Sequence, residues 1–185
     1  MIATKWMMTV GFAGLACSRQ STPQAGADQR YQAAYEHVLQ SAELARYCRE
    51  TLRREPSDCP IAIADSTVFI SRSLFTSEFL ETGRGRPRQL VIDSLVAVDQ
   101  AGAEGFRPAP VGKLIRTTRD QERPSLGLFF SSIQGNTLIA EVLGRYSPGK
   151  HYRELTTFNS GVAFLFLFGD DGRVERVFEK AVNYN

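Results

Sequence analysis

The run Gly161-Val162-Ala163-Phe164-Leu165-Phe166-Leu167-Phe168 puts apolar side chains on both faces of an extended chain. Successive residues of a strand point to opposite sides. A strand with no polar face therefore has to be covered twice, which marks the interior of a sheet with layers on both sides. Gly169-Asp170-Asp171-Gly172 follows and has tight-turn composition. Arg173 to Tyr184 then returns with Val174, Phe178, Val182 and Tyr184 on one face and mostly polar residues on the other. The pattern predicts a hairpin with a doubly covered strand and a half-exposed one.

The preceding segments extend that hairpin. Leu126 to Ile133 and Thr137 to Tyr146 read as strands joined by the turn Gln134-Gly135-Asn136. Gln89 to Asp99, rich in Leu, Val and Ile, predicts another strand, and Val111 to Thr117 a further one. Pro60 to Ser71 predicts a short hairpin or bulged strand turning at Asp65-Ser66, and Leu74-Phe75 with Phe79-Leu80 has short-helix spacing. Gln100 to Pro110 and Thr118 to Pro124 read as loops. Upstream, Tyr31, Ala34, Tyr35, Val38, Leu39, Ala42 and Ala45 recur every three or four residues, one stripe of a helix from Asp28 to about Arg54. The predicted fold class is α+β: one long N-terminal helix packed on a curved antiparallel sheet of about five to seven strands. The order of elements resembles that of cystatin-like and nuclear-transport-factor-like folds, and such a likeness implies no function.

The first residues predict a destination. One lysine, Lys5, precedes the apolar stretch Trp6 to Ala16, which has the length of an export signal and is too short to cross a bilayer. The stretch ends in Leu15-Ala16-Cys17-Ser18, which resembles the lipobox of bacterial lipoproteins. It departs from the family pattern in having Gly14 three residues before the cysteine and Leu15 one place late. The resemblance covers about the first 18 residues, and it implies cleavage after Ala16 and a lipid on the Cys17 thiol. Ser18 rather than an aspartate after the cysteine implies the outer membrane. The expected organisation is a signal peptide at 1–16, a lipidated tether at 17–27 and one globular domain at 28–185.

Composition agrees with a globular domain: 43% of residues are hydrophobic, and 22 basic against 20 acidic residues give a net charge of +2. So small an imbalance gives no support for nucleic acid as a partner. With Cys17 assigned to lipid, Cys48 and Cys59 remain as an even pair, and an exported chain favours a disulfide between them. A loop of that size contributes about 3 kcal/mol in the chain-entropy account. The alternative, a redox or metal pair, lacks a C-x-x-C spacing.

Candidate chemistry is sparse. The two histidines, His37 and His151, are isolated, so no metal-ligand spacing arises and no cofactor is expected. No G-x-S-x-G or S-x-x-K motif is present. Glu141 lies inside an apolar strand on the face of Ile139, Leu143 and Arg145. It pairs with Arg145 or another arginine, or it serves as a pocket acid with a raised pKa. Asp93 poses the same alternative. Arg84, Arg86 and Arg88 share a Gly/Pro loop, a possible anion or lipid-headgroup site without a nucleotide-binding pattern. The residues point to a non-catalytic envelope domain, bound to a membrane through its anchor and to an envelope protein through its surface. The alternative is a pocket protein or enzyme that uses the concavity of the sheet.

Overall fold

The computed structural model describes residues 23–83, 85–112, 114, 125–147 and 149–185. The expected signal peptide, Cys17, Arg84 and most of the expected strand Val111 to Thr117 lie outside the described residues.

Five strands form one open sheet in the order of the chain: β1 (Ile61–Ile63), β2 (Leu126–Phe130), β3 (Thr137–Leu143), β4 (Asn159–Phe168) and β5 (Val174–Tyr184). β2 to β5 form the expected antiparallel meander, with Leu128 opposite Val142, Ala140 opposite Phe164 and Leu165 opposite Phe178. β1 runs parallel to β2, with Ile61 opposite Leu126, so the sheet is mixed rather than purely antiparallel. Of the two readings of Pro60 to Ser71, the hairpin at Asp65-Ser66 is absent and the interrupted strand is the one that fits. The chain instead continues along β2, where Ala64 N–H donates to Leu128 O at 2.9 Å and Val68 N–H to Phe130 O at 2.8 Å.

The N-terminal stripe forms two helices instead of the single long one expected, α1 (Pro23–Gln40) and α2 (Ala42–Glu50). The break is Ser41, whose backbone is extended (φ −63°, ψ 127°). Its hydroxyl accepts from Leu44 N–H at 3.0 Å and donates to Glu179 Oε2 at 2.6 Å. Serine is a strong helix N-cap, so one residue ends one helix, starts the next and ties both to β5. Tyr31, Ala34, Tyr35 and Val38 of the expected stripe are buried, but Leu39 and Ala42 are exposed and Ala45 is half-buried; past the break the buried face is Leu44, Tyr47 and Cys48.

These residues meet Leu138, Ala140 and Val142 of β3 and Val162, Phe164, Phe166 and Phe168 of β4. The three phenylalanines stack along one face, with centroids 6.1 and 6.4 Å apart. Burying each contributes on the order of 1.5–3 kcal/mol. The opposite face of β4, through Ala163 and Leu165, packs with Ile139, Val182, Ile70 and Phe75. Its cover is the 3-10 turn Arg72–Phe75, the helix α3 (Thr76–Thr82) and the single-turn helix α5 (Tyr152–Leu155). β4 is thus buried on both sides, as its composition requires.

The expected strand at Gln89 to Asp99 is a helix, α4 (Arg88–Gly105), which also absorbs the first half of the expected loop. Val91, Leu95, Asp99 and Gly102 lie three or four residues apart. Leu95 is buried, Gly102 meets the Phe69 ring and Asp99 binds the Arg72–Phe75 turn. Alternation of Leu90, Ile92, Val96 and Val98 imitates a strand, but Ala97, Ala101 and Ala103 favour a helix.

Ser41→Ala removes the α2 cap and the bond to Glu179. It is expected to cost about 1–2 kcal/mol in urea unfolding followed by circular dichroism, whereas Ser41→Asn, which can still cap, should cost less.

Candidate functional site

Glu141 is fully buried at the centre of β3, opposite Phe129 of β2 and Ala163 of β4. The small side chain of Ala163 leaves room above the sheet for two tyrosines. Tyr152 of α5 donates its hydroxyl to Glu141 Oε2 at 2.7 Å, and Tyr184 of β5 donates to Oε1 at 2.7 Å. Phe129, Leu143 and Leu155 close the surroundings, and the Phe129 ring lies 5.2 Å from that of Tyr152. The carboxyl group therefore shares a face with Ile139 and Leu143, as alternation predicts, but its partners are tyrosines. Arg145 turns away and donates Nη1–H to Phe158 O at 3.2 Å. The expected ion pair does not form.

Burial pushes the Glu141 carboxyl up, and the two hydroxyl bonds offset only part of that rise. Burial and the adjacent carboxyl raise both tyrosine hydroxyls, so they stay protonated donors. A carboxyl with both oxygens occupied and, among the described residues, no cation acting on it is fitted to hold α5 and the end of β5 on the sheet. Neither tyrosine was singled out from sequence as its partner. Alternation along β5 puts Tyr184 on this face with Phe178 and Val182, whereas Tyr152 arrives from a segment without strand periodicity.

Tyr184 also lines an open cleft of about 250 Å³ at the end of the β4–β5 ribbon, with Arg145, Phe158, Asn159, Ser160, Asn183 and Asn185. Arg145 (φ 53°) and Phe158 (φ 51°) both adopt left-handed backbone, which costs bulky side chains about 1–2 kcal/mol. Their mutual hydrogen bond joins the two ends of the crossover between β3 and β4 that carries α5. Phe158 is 73% exposed. Asn159 holds the cleft floor, donating Nδ2–H to Gly144 O at 2.8 Å and accepting from Ser160 N–H at 2.9 Å. Tyr47 of α2 donates to Ser160 O at 2.8 Å from behind. The left-handed pair left no mark in the sequence, because neither residue is glycine or asparagine.

The other sequence candidates disperse. Asp93 sits exposed on α4 and accepts from Gln89 Nε2–H at 2.7 Å, so the reason for placing it in a sheet concavity is gone. Arg86 and Arg88 are exposed at the start of α4. His37 is more than a surface residue: its Nε2 lies 2.7 Å from Glu179 Oε1 and its ring edge meets Phe166. Cys48 and Cys59 are buried free thiols, so the expected bridge is not formed here. They are nevertheless neighbours: burial, then a hydrogen bond with Cys59, pushes the Cys48 thiol up to about 12. A groove beside Asp99 and Arg72 has a volume of about 20 Å³, enough for one water. Burial pushes the Asp99 carboxyl up, but bonds from Ser71 and from the N–H groups of Arg72 and Ser73 outweigh it and hold it low. Asp99 thereby caps a turn. Among the described residues no cluster of three or more His, Cys, Asp or Glu is placed to hold a metal, and no helix is long and apolar enough to cross a membrane.

No protein-family model, curated protein or solved structure matches the chain. The likeness of element order to cystatin-like and nuclear-transport-factor-like folds therefore carries no argument.

Because the Glu141 carboxyl is raised in the fold, its stability contribution is full below its unfolded pKa of about 4.3 and is lost as pH rises through the folded value. Glu141→Gln keeps an acceptor for one tyrosine and is expected to remove that decline, giving a flatter profile of melting temperature from pH 4 to 8. Glu141→Ala leaves two hydroxyls without their acceptor and should cost about 1–3 kcal/mol for each one left unsatisfied.

Proposed function

We propose that the chain is an exported lipoprotein domain of the bacterial cell envelope, tethered through Cys17, that binds a partner without catalysis through the cleft at Arg145 and Phe158. The observation that carries the binding role is the pair of left-handed, bulky residues that frames this cleft and holds a phenyl ring out to solvent. Backbone strain of this kind persists only where the surroundings impose it, and it concentrates at binding sites. The cleft is open, and its roughly 250 Å³ falls below the 300 Å³ or more of an ordinary small-molecule pocket. That favours surface contact over an enclosed ligand. The phenylalanines of β4 that would line a sheet pocket are stacked core instead.

The tether rests on the resemblance of Leu15-Ala16-Cys17-Ser18 to a lipobox. Export accounts for the cysteines as well. Two adjacent buried thiols close into a disulfide when an envelope protein disulfide accepts their two electrons and two protons leave.

Intact mass of the membrane fraction tests the tether. The chain is expected to begin at Cys17 with added acyl mass, lost in Cys17→Ser, and to be two hydrogens lighter than after reduction. A soluble, unmodified product would remove the tether from the proposal. The cleft is tested by placing a photocrosslinking residue at position 158 in living cells. A discrete adduct is expected there and not at Glu175, and Arg145→Asn should weaken it. Equal labelling at both positions would reject the cleft as the contact site.

A further inference from the structure

We propose that the cleft receives an acidic side chain of an extended peptide that adds to the free edge of β5. This rests on the reading of the cleft as a contact site and names the chemistry of its occupant. Arg145 is the charged side chain of the cleft, which is otherwise lined by Phe158, Asn159, Ser160, Asn183, Tyr184 and Asn185. Among these side chains there is no carboxylate, so an anionic group meets attraction and a cationic one repulsion. One guanidinium nitrogen is committed to Phe158 O, which fixes the head and leaves its remaining N–H groups for a carboxylate. The amide of Asn159 and the hydroxyl of Ser160 are engaged within the fold. The exposed amide of Asn183 has no hydrogen-bond partner among the described residues, and it can pair with a peptide group.

The second observation is the edge itself. β5 is the longest strand, 11 residues, and it lies at the end of the sheet. Among the described residues no hydrogen bond reaches its backbone from any element but β4. Alternate residues of an edge strand direct N–H and C=O outward, a template for one more strand. This edge runs through Asn183 and Tyr184 directly into the cleft. A sugar would use the aromatic rings but not the edge, so the two features together favour a peptide.

The occupant is not a second β5. Centring an antiparallel copy on Val177 sets Glu175 opposite Glu179, and centring it on Phe178 sets Arg176 opposite Lys180. Centring on Arg176, Glu179 or Lys180 sets each charge opposite itself. Like charges directly opposite are destabilising. Registers centred further along avoid them only by leaving the Val174 end unpaired.

The test is an NMR titration of the full chain with a short acetylated, amidated peptide alternating valine and aspartate. Its controls are the lysine counterpart, an N-methylated version and glucuronic acid. The aspartate peptide is expected to shift Asn183, Tyr184 and Arg145 resonances, and the lysine peptide to leave them unmoved. N-methylation, which removes the peptide's donors, should weaken binding about tenfold, as should Arg145→Asn, a residue that tolerates left-handed backbone. Undiminished binding of the N-methylated peptide, or of wild-type peptide to Arg145→Asn, would overturn the proposal. So would preference for glucuronic acid or for the lysine peptide, while leaving the cleft a contact site. An absence of shifts at millimolar aspartate peptide overturns it too. Crosslinking at position 158 then reports separately whether the cleft makes contacts in cells.

Discussion

The structure depends on burying β4 from both sides. Phe164, Phe166 and Phe168 fill one face, and Ala163 and Leu165 fill the other. Neither face tolerates water, so the chain has to supply two coverings. The first is α1 and α2, bent at Ser41 to follow the sheet. The second is assembled from pieces: the Arg72–Phe75 turn, α3, and the crossover that carries α5. α4 lies outside this second layer, joined to it by Leu95 and by the capping of a turn by Asp99. That position explains why Leu90, Val96 and Val98 stay exposed despite their composition.

The second covering explains the buried acid. A crossover of 15 residues between β3 and β4 has to be held down with a single helical turn. Leu155 contributes apolar burial, but one leucine does not fix orientation. The Glu141 carboxyl does, because it accepts one hydroxyl from the crossover and one from β5. Desolvating a carboxyl is costly, and apolar residues of the same shape are often more stabilising. What the polar arrangement adds is direction: Tyr184 is set with its hydroxyl inward and its ring toward the cleft. The same crossover brings Arg145 and Phe158 together at its two ends. The cleft and the buried acid are thus two consequences of one connection.

Much of this was legible in the residues. The double-faced run of β4, the turns at Gln134-Gly135-Asn136 and Gly169-Asp170-Asp171-Gly172, and the helical stripe from Tyr31 to Val38 each follow from a side-chain period that one layer of packing enforces. The failures share a cause. In α4 a period of two and a period of 3.6 both fit Leu90 to Val98, and only the contacts of Leu95, Asp99 and Gly102 decide between them. At Ser41 the alanines at 42 and 45 continue the helical period across the break, whereas the buried face beyond it passes to Leu44, Tyr47 and Cys48. At Glu141 alternation gave the face but not the partner, since Tyr152 comes from an irregular segment and Tyr184 from a strand two places away. The cleft was illegible altogether, as it is made by backbone angles that neither arginine nor phenylalanine advertises.

Strain at the cleft and satisfaction at Glu141 bear on each other. Left-handed arginine and phenylalanine each oppose the folded state by about 1–2 kcal/mol. They persist because the crossover between them is fastened at its middle, by Tyr152 on Glu141 and by Leu155 in the core. Phe158 stays 73% exposed at the end of this fastened loop. On the proposed reading, this arrangement presents a contact surface ready-made, so that little further ordering would be needed on binding.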